Sequence, residues 1–159
     1  MKKIIYLLLI CSFIFSGCRK GCTDPEAVND HPNNKRDDGS CLYRPNITTL
    51  NVSNITDSSA LLSGVIEFED QNKNYAFINS VGFHWNNGPI DINSINNYSY
   101  DIPYNQVDTF YYSLTGLSQN TTYHTQAFMN GVIDTNVNYQ TANLNLSDIR
   151  GDEVVFTTN

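Results

Sequence analysis

Positive charge is scarce in this 159-residue sequence, and past residue 44 only Lys73 and Arg150 oppose eleven carboxylates. Across the chain, nine Lys and Arg face sixteen Asp and Glu, a formal net charge of −7. A domain of that balance repels phosphate backbones, so nucleic acid is excluded as an expected partner. Catalytic signatures are missing too: there is no Gly-x-Ser-x-Gly, no His-Glu-x-x-His and no phosphate-cradling glycine loop. The one long apolar run, IIYLLLICSFIF at residues 4–15, falls short of the roughly 20 residues that a membrane-spanning helix needs. No window of ten or more residues carries a helical stripe. The expectation is therefore not an enzyme. The carboxylates Glu67, Glu69 and Asp70, at one expected strand end, keep a cryptic hydrolase open as the least favoured alternative.

What is present begins with Lys2 and Lys3, the apolar run, and then Ser16 and Gly17 directly before Cys18. That order is the pattern of a secretory signal peptide. Phe15-Ser16-Gly17-Cys18 resembles the lipobox of bacterial lipoproteins, although Phe15 stands where leucine is commoner. The resemblance implies cleavage after residue 17 and a lipid (diacylglycerol, with palmitate) on Cys18. It also implies membrane attachment at the cell envelope, with the outer membrane expected. Arg19 and Lys20 do not look like an acidic surface-export signal, which favours a periplasm-facing site. Loss of Lys2 and Lys3 leaves seven basic against sixteen acidic residues, a net charge of −9.

Of four cysteines, Cys11 would leave with the signal peptide and Cys18 would be acylated. Cys22 and Cys41 remain, a pair in a compartment where disulfides persist. Their bond would close a loop of about 20 residues, worth roughly 3 kcal/mol in the chain-entropy model. The stretch from 18 to 44, with Pro25, Pro32, Asn33, Asn34 and Gly39, is too poor in apolar residues to offset its ordering entropy by burial. It is expected to be a stapled spacer. Gly21-Cys22-Thr23-Asp24-Pro25-Glu26-Ala27, then Asp37-Asp38-Gly39-Ser40-Cys41, is similar to a short cysteine-bounded module of bacterial surface and secreted proteins. That resemblance carries no chemistry. Asp24, Asp30, Asp37 and Asp38 raise calcium as a cofactor, in an adhesion module. The helix-loop-helix calcium spacing fails, because Arg36 takes a ligand position and Pro45 the place of the bidentate glutamate. An Asx turn at 37–39 is the preferred reading, with no cofactor expected.

Residues 45–159 read as β throughout. Period-two alternation marks strands at 59–68, 77–85, 106–114, 122–129 and 152–158, a weaker one at 48–53, and an edge strand within 90–104 interrupted by Pro103. Six or seven short strands in this length fit a sandwich. Leu114-Thr-Gly-Leu117-Ser-Gln-Asn-Thr-Thr-Tyr123 resembles the junction of the fifth and sixth strands of fibronectin type III domains. Ser59–Gly64, Val81–Trp85 and Val154–Thr158 resemble the second, third and last strands of a bacterial branch. The resemblance implies an all-β, immunoglobulin-like sandwich. Tyr123 would be its tyrosine corner, with Leu117 beneath it, and Trp85 would fill the core in place of a second-strand tryptophan. The connection from 131 to 151 is longer than that family's usual one.

The division is therefore signal peptide 1–17, lipidated and disulfide-stapled segment 18–44, and sandwich 45–159. His84 and His124 fall at outward positions on neighbouring strands; two ligands do not make a zinc site. Six Asn-x-Ser/Thr sequons, at Asn46, Asn51, Asn54, Asn97, Asn120 and Asn145, reflect an Asn- and Thr-rich composition. The expected role is binding or scaffolding of an envelope protein or glycan, through solvent-facing Tyr98, Tyr100, Tyr104 and Phe128. A purely structural spacer is the alternative.

Overall fold

The computed structural model describes residues 19–91, 96–101, 109–132 and 146–159. The signal peptide, Cys18, Tyr104 and the proline break at 103 lie outside them. Ten strands follow in chain order: β1 (Leu42–Tyr43), β2 (Asn46–Thr49), β3 (Ser59–Glu67), β4 (Asn74–Tyr75), β5 (Phe77–Asn86), β6 (Asn96–Asp101), β7 (Thr109–Thr115), β8 (Thr122–Val132), β9 (Leu146–Arg150) and β10 (Val154–Thr157). Among the described residues there is no helix.

Two antiparallel sheets make the body. One has the order β2-β3-β7; the other runs β10-β8-β5-β6, with β9 also on β8. β9 pairs with Phe128–Gly131 and β10 with Thr122–Thr125, so the two occupy one edge in succession. The sandwich thus has seven strand positions, in the immunoglobulin-like all-β class expected.

The alternation in the sequence decides what lies between the sheets. Ala60, Leu62 and Ile66 of β3 are buried against Val81 and Phe83 of β5, Phe110 and Leu114 of β7, and Tyr123, Ala127 and Met129 of β8, with Phe156 of β10. Each large side chain so buried contributes about 1.5–3 kcal/mol. Phe83 and Phe110 meet across the sheets at 5.1 Å between centroids. Gly64 makes room for Phe110: a Cβ there would stand 2.5 Å from its ring. Trp85 packs against the core half-buried, 5.7 Å from Tyr112. Two buried threonines in the core are matched: Thr125 Oγ1 donates to the His84 carbonyl at 3.0 Å, and Thr49 Oγ1 accepts from the Ala127 amide at 2.9 Å.

Tyr123 is buried, and its hydroxyl accepts a hydrogen bond from the Ser118 amide at 2.9 Å. Leu117 packs half-buried against the core, and its amide donates to the Ser58 carbonyl. Gly116 (φ 77°), just before Leu117, and Asn120 (φ 50°), between Leu117 and Tyr123, take left-handed conformations that let the chain reverse.

The N-terminal segment is held by its disulfide and by asparagines. Cys22 and Cys41 are bonded and buried, with Ala27 beside them. Asn29 bridges the Ser40 carbonyl (2.7 Å) and the Leu42 amide (2.8 Å), and Asn34 donates to the Cys22 carbonyl (2.8 Å). Side chains here do what a sheet ladder does elsewhere. The segment does not stand off as a spacer. β1 pairs in parallel with β4, the Ala76 amide donates to the Tyr43 carbonyl, and Ala76 is buried under Val28, Leu42 and Ile149.

Candidate functional site

Where this segment meets the sandwich, an open cleft of about 400 Å³ runs between them. Glu26, Tyr43 and Arg44 line it from one side, and Glu69, Lys73 and Tyr75 from the other. The parallel register sets Tyr43 opposite Tyr75. Each ring is fixed by its hydroxyl. Tyr43 donates to Asp24 at 2.6 Å, while Tyr75 accepts from the Asp70 amide at 2.9 Å and meets the Phe68 ring edge-on at 5.0 Å.

The charges are interleaved. Lys73 Nζ lies 4.2 Å from the Tyr43 ring centroid and 3.8 Å from Glu26. At such exposure each of these contacts contributes at most about 1 kcal/mol. Glu69 accepts from the Asn46 side-chain amide. Arg44 is exposed and forms no ion pair among the described residues. Two cations and two carboxylates thus face one space. The hydrogen bond to Asp24 pushes the Tyr43 hydroxyl up to about 12. The same bond, with the Glu26 amide, holds the Asp24 carboxyl below its ordinary range.

The structure does not gather the carboxylates considered for calcium. Asp24 is occupied by Tyr43 and the Glu26 amide. Asp37 accepts from the Gly39 amide and Asp38 from the Ser40 amide, each closing a local turn. Asp30 is exposed. Among the described residues no group of three or more His, Cys, Asp or Glu is placed to hold a metal ion. Glu67, Glu69 and Asp70 also diverge: Glu67 is exposed, Glu69 turns to Asn46, and Asp70 accepts from the Asn72 amide, which lowers its pKa.

Two outward positions need correction. Phe128, expected in solvent, is 4% exposed, and His84 is 7% exposed. Their rings stack at 4.2 Å between centroids. Alternation says which face a residue occupies, not what covers that face. His124 instead pairs with Glu153, whose other oxygen accepts from the Ile90 amide. Tyr98 is exposed as expected, at 39%, yet it stacks on Tyr112 at 4.0 Å along the sandwich edge. Tyr100 sits in β6 opposite Val81.

Sequence reasoning missed the cleft, because its walls lie some thirty residues apart and meet only through two-residue strands. The one signal was Lys73, a rare cation in an acidic stretch.

Fold and site together define a disulfide-bearing, all-β sandwich with a docked N-terminal segment. No family model matches the sequence, and no curated protein does. The structure is similar to that of the sensor domain of the anti-sigma factor RsgI4 from Pseudobacteroides cellulosolvens. A short form of that domain aligns with TM-score 0.46 and 15% identity over 74% of this chain and 96% of that one. A long form gives 0.46 and 14% over 72% and 88%. Its solution structure gives 0.47 and 16% over 72% and 74%.

Proposed function

We propose that this chain is a lipid-anchored cell-envelope protein whose sandwich and docked segment bind an envelope protein or glycan without catalysing a reaction. The carrying observation is the cleft, whose two tyrosine rings are held by their own hydroxyls before any ligand arrives. A site fixed in advance loses less ordering entropy on binding. The anchor is read from Phe15-Ser16-Gly17-Cys18, and the Cys22–Cys41 disulfide fits work outside the cytoplasm. Its place is the outer membrane, facing the periplasm, with the Gly21–Cys41 segment acting as a base for the sandwich.

Affinity capture from detergent-solubilised envelopes tests this, with wild type compared against Arg44→Ala and Tyr98→Ala. A partner retained by wild type and lost by one variant supports a binding role. If wild type retains nothing above a lipoprotein control, the reading gives way to a structural filler. Labelling of intact cells with an impermeant reagent tests which face the domain occupies.

A further inference from the structure

We infer that the cleft between the N-terminal segment and the sandwich is a carbohydrate site, selecting an uncharged glycan segment; this deepens the binding role proposed above and rests on it. The chain carries −7 overall, yet Glu26 and Glu69 are balanced in this cleft by Arg44 and Lys73. An anionic ligand would meet two carboxylates here, and a cationic one two ammonium or guanidinium groups, each at a desolvation and repulsion cost. A neutral polyol avoids both. Every sugar hydroxyl both donates and accepts, so it can use Glu26 and Glu69 as acceptors and Arg44 and Lys73 as donors.

Arg44 brings five donors in a planar fork and is exposed, with no ion pair among the described residues to give up. Tyr43 and Tyr75 stand opposite each other in register. Their hydroxyls are tied to Asp24 and to the Asp70 amide, so the rings are in place before a sugar packs on them. At about 400 Å³ the cleft falls in the size range of ligand sites. Its open form suits a chain that passes through rather than a small molecule that is enclosed.

The test uses the full-length protein in detergent micelles, titrated calorimetrically with cellohexaose, mannohexaose and maltohexaose, with hexagalacturonate as the acidic probe and chitosan hexamer as the basic one. At least one neutral hexaose is expected to bind more tightly than either charged probe. Its affinity is expected to fall roughly tenfold or more in Arg44→Ala and in Glu69→Gln, the scale of one lost charge-assisted hydrogen bond. Tyr111→Ser, on the far face of β7 where Tyr111 is 58% exposed, should leave it unchanged. Tighter binding of a charged probe, indifference to both cleft variants, or silence from all five oligomers would overturn the assignment. The envelope capture separates this failure from that of the parent reading: a partner retained equally by Arg44→Ala leaves a binding role standing without a glycan cleft.

Discussion

The hydroxyl of Tyr43 and the carboxylate of Asp24, 2.6 Å apart, hold the N-terminal segment in its docked form and leave a titratable mark. Tyr43 is raised from its ordinary 10.0 to about 12, so its contribution to stability is whole below pH 10 and is lost as pH climbs through about 12. Asp24 is depressed below 3.8, so its contribution is present above that pH and disappears as pH falls through the folded value. We predict that Tyr43 forms its phenolate late in a spectrophotometric titration of the folded protein, and that Tyr43→Phe removes that late step. The same variant should flatten the acid limb of the urea-midpoint profile; an unchanged limb would sever the two groups. Tyr123 allows a second substitution. Tyr123→Phe keeps the ring packed on Phe156 but strips the acceptor from the Ser118 amide, at a cost of about 1 kcal/mol in urea unfolding. Its role could be read from the sequence, because corner tyrosine and turn are ten residues of one continuous motif. The stacking of His84 on Phe128 could not, because it depends on which residues share the outer face across two strands.

Strands with many alternating residues were legible, and strands with two were not. β3, expected at 59–68, spans Ser59–Glu67, and β5, expected at 77–85, spans Phe77–Asn86; each has enough inward positions to show its period. β1 and β4 have no period at all. They pair Leu42 with Asn74 and Tyr43 with Tyr75, a contact between distant parts of the chain that local propensity does not encode. β9 hides in the long connection from 131 to 151, of which 133–145 lie outside the described residues. At this scale the docked segment depends on its staple: three small buried residues form its cluster, two of them the bonded cysteines. Paired Cys22→Ala and Cys41→Ala should remove roughly 3 kcal/mol of loop-closure stabilisation. By hydrogen exchange, the amides of Gly21, Val28, Asn34 and Leu42 are expected to open while β3, β5 and β8 stay protected. Equal protection in the segment with the cysteines gone would mean that asparagine bonds and β1–β4 pairing suffice. Within the sandwich, Gly64→Ala drives a Cβ into the Phe110 ring. We predict about 1–3 kcal/mol of destabilisation, measured by thermal unfolding; a neutral result would show that the ring can shift.

The proposed anchor and the docked segment together determine how far the sandwich stands from its membrane. Lys20 already pairs with Arg36, and the Gly21 amide donates to the Arg36 carbonyl. The Lys35 amide also donates to the Arg19 carbonyl, so among the described residues pairing reaches to within one residue of the cysteine proposed to carry lipid. A fully extended chain spans at most about 3.3–3.6 Å per residue, so Cys18 is leashed to Lys20 by no more than ~7 Å. A spacer free through residue 44 would have allowed many times that reach. Instead the lipid, if attached at Cys18, holds an acidic body of net charge −9 directly against the headgroups. Two variants separate attachment from reach. Cys18→Ser should move the protein from the membrane to the soluble fraction with its fold unchanged, because every described pairing is made by residues after Cys18. Insertion of ten Gly and Ser residues between Cys18 and Arg19 should leave it membrane-bound. That insertion should also let a protease cut between lipid and sandwich on vesicles, where the native sequence resists because no free leash is long enough to enter an active site. Wild type cut as readily as the insertion variant would mean that the segment detaches from the sandwich at the membrane. The cleft it forms with Tyr75 and Lys73 would then open with it.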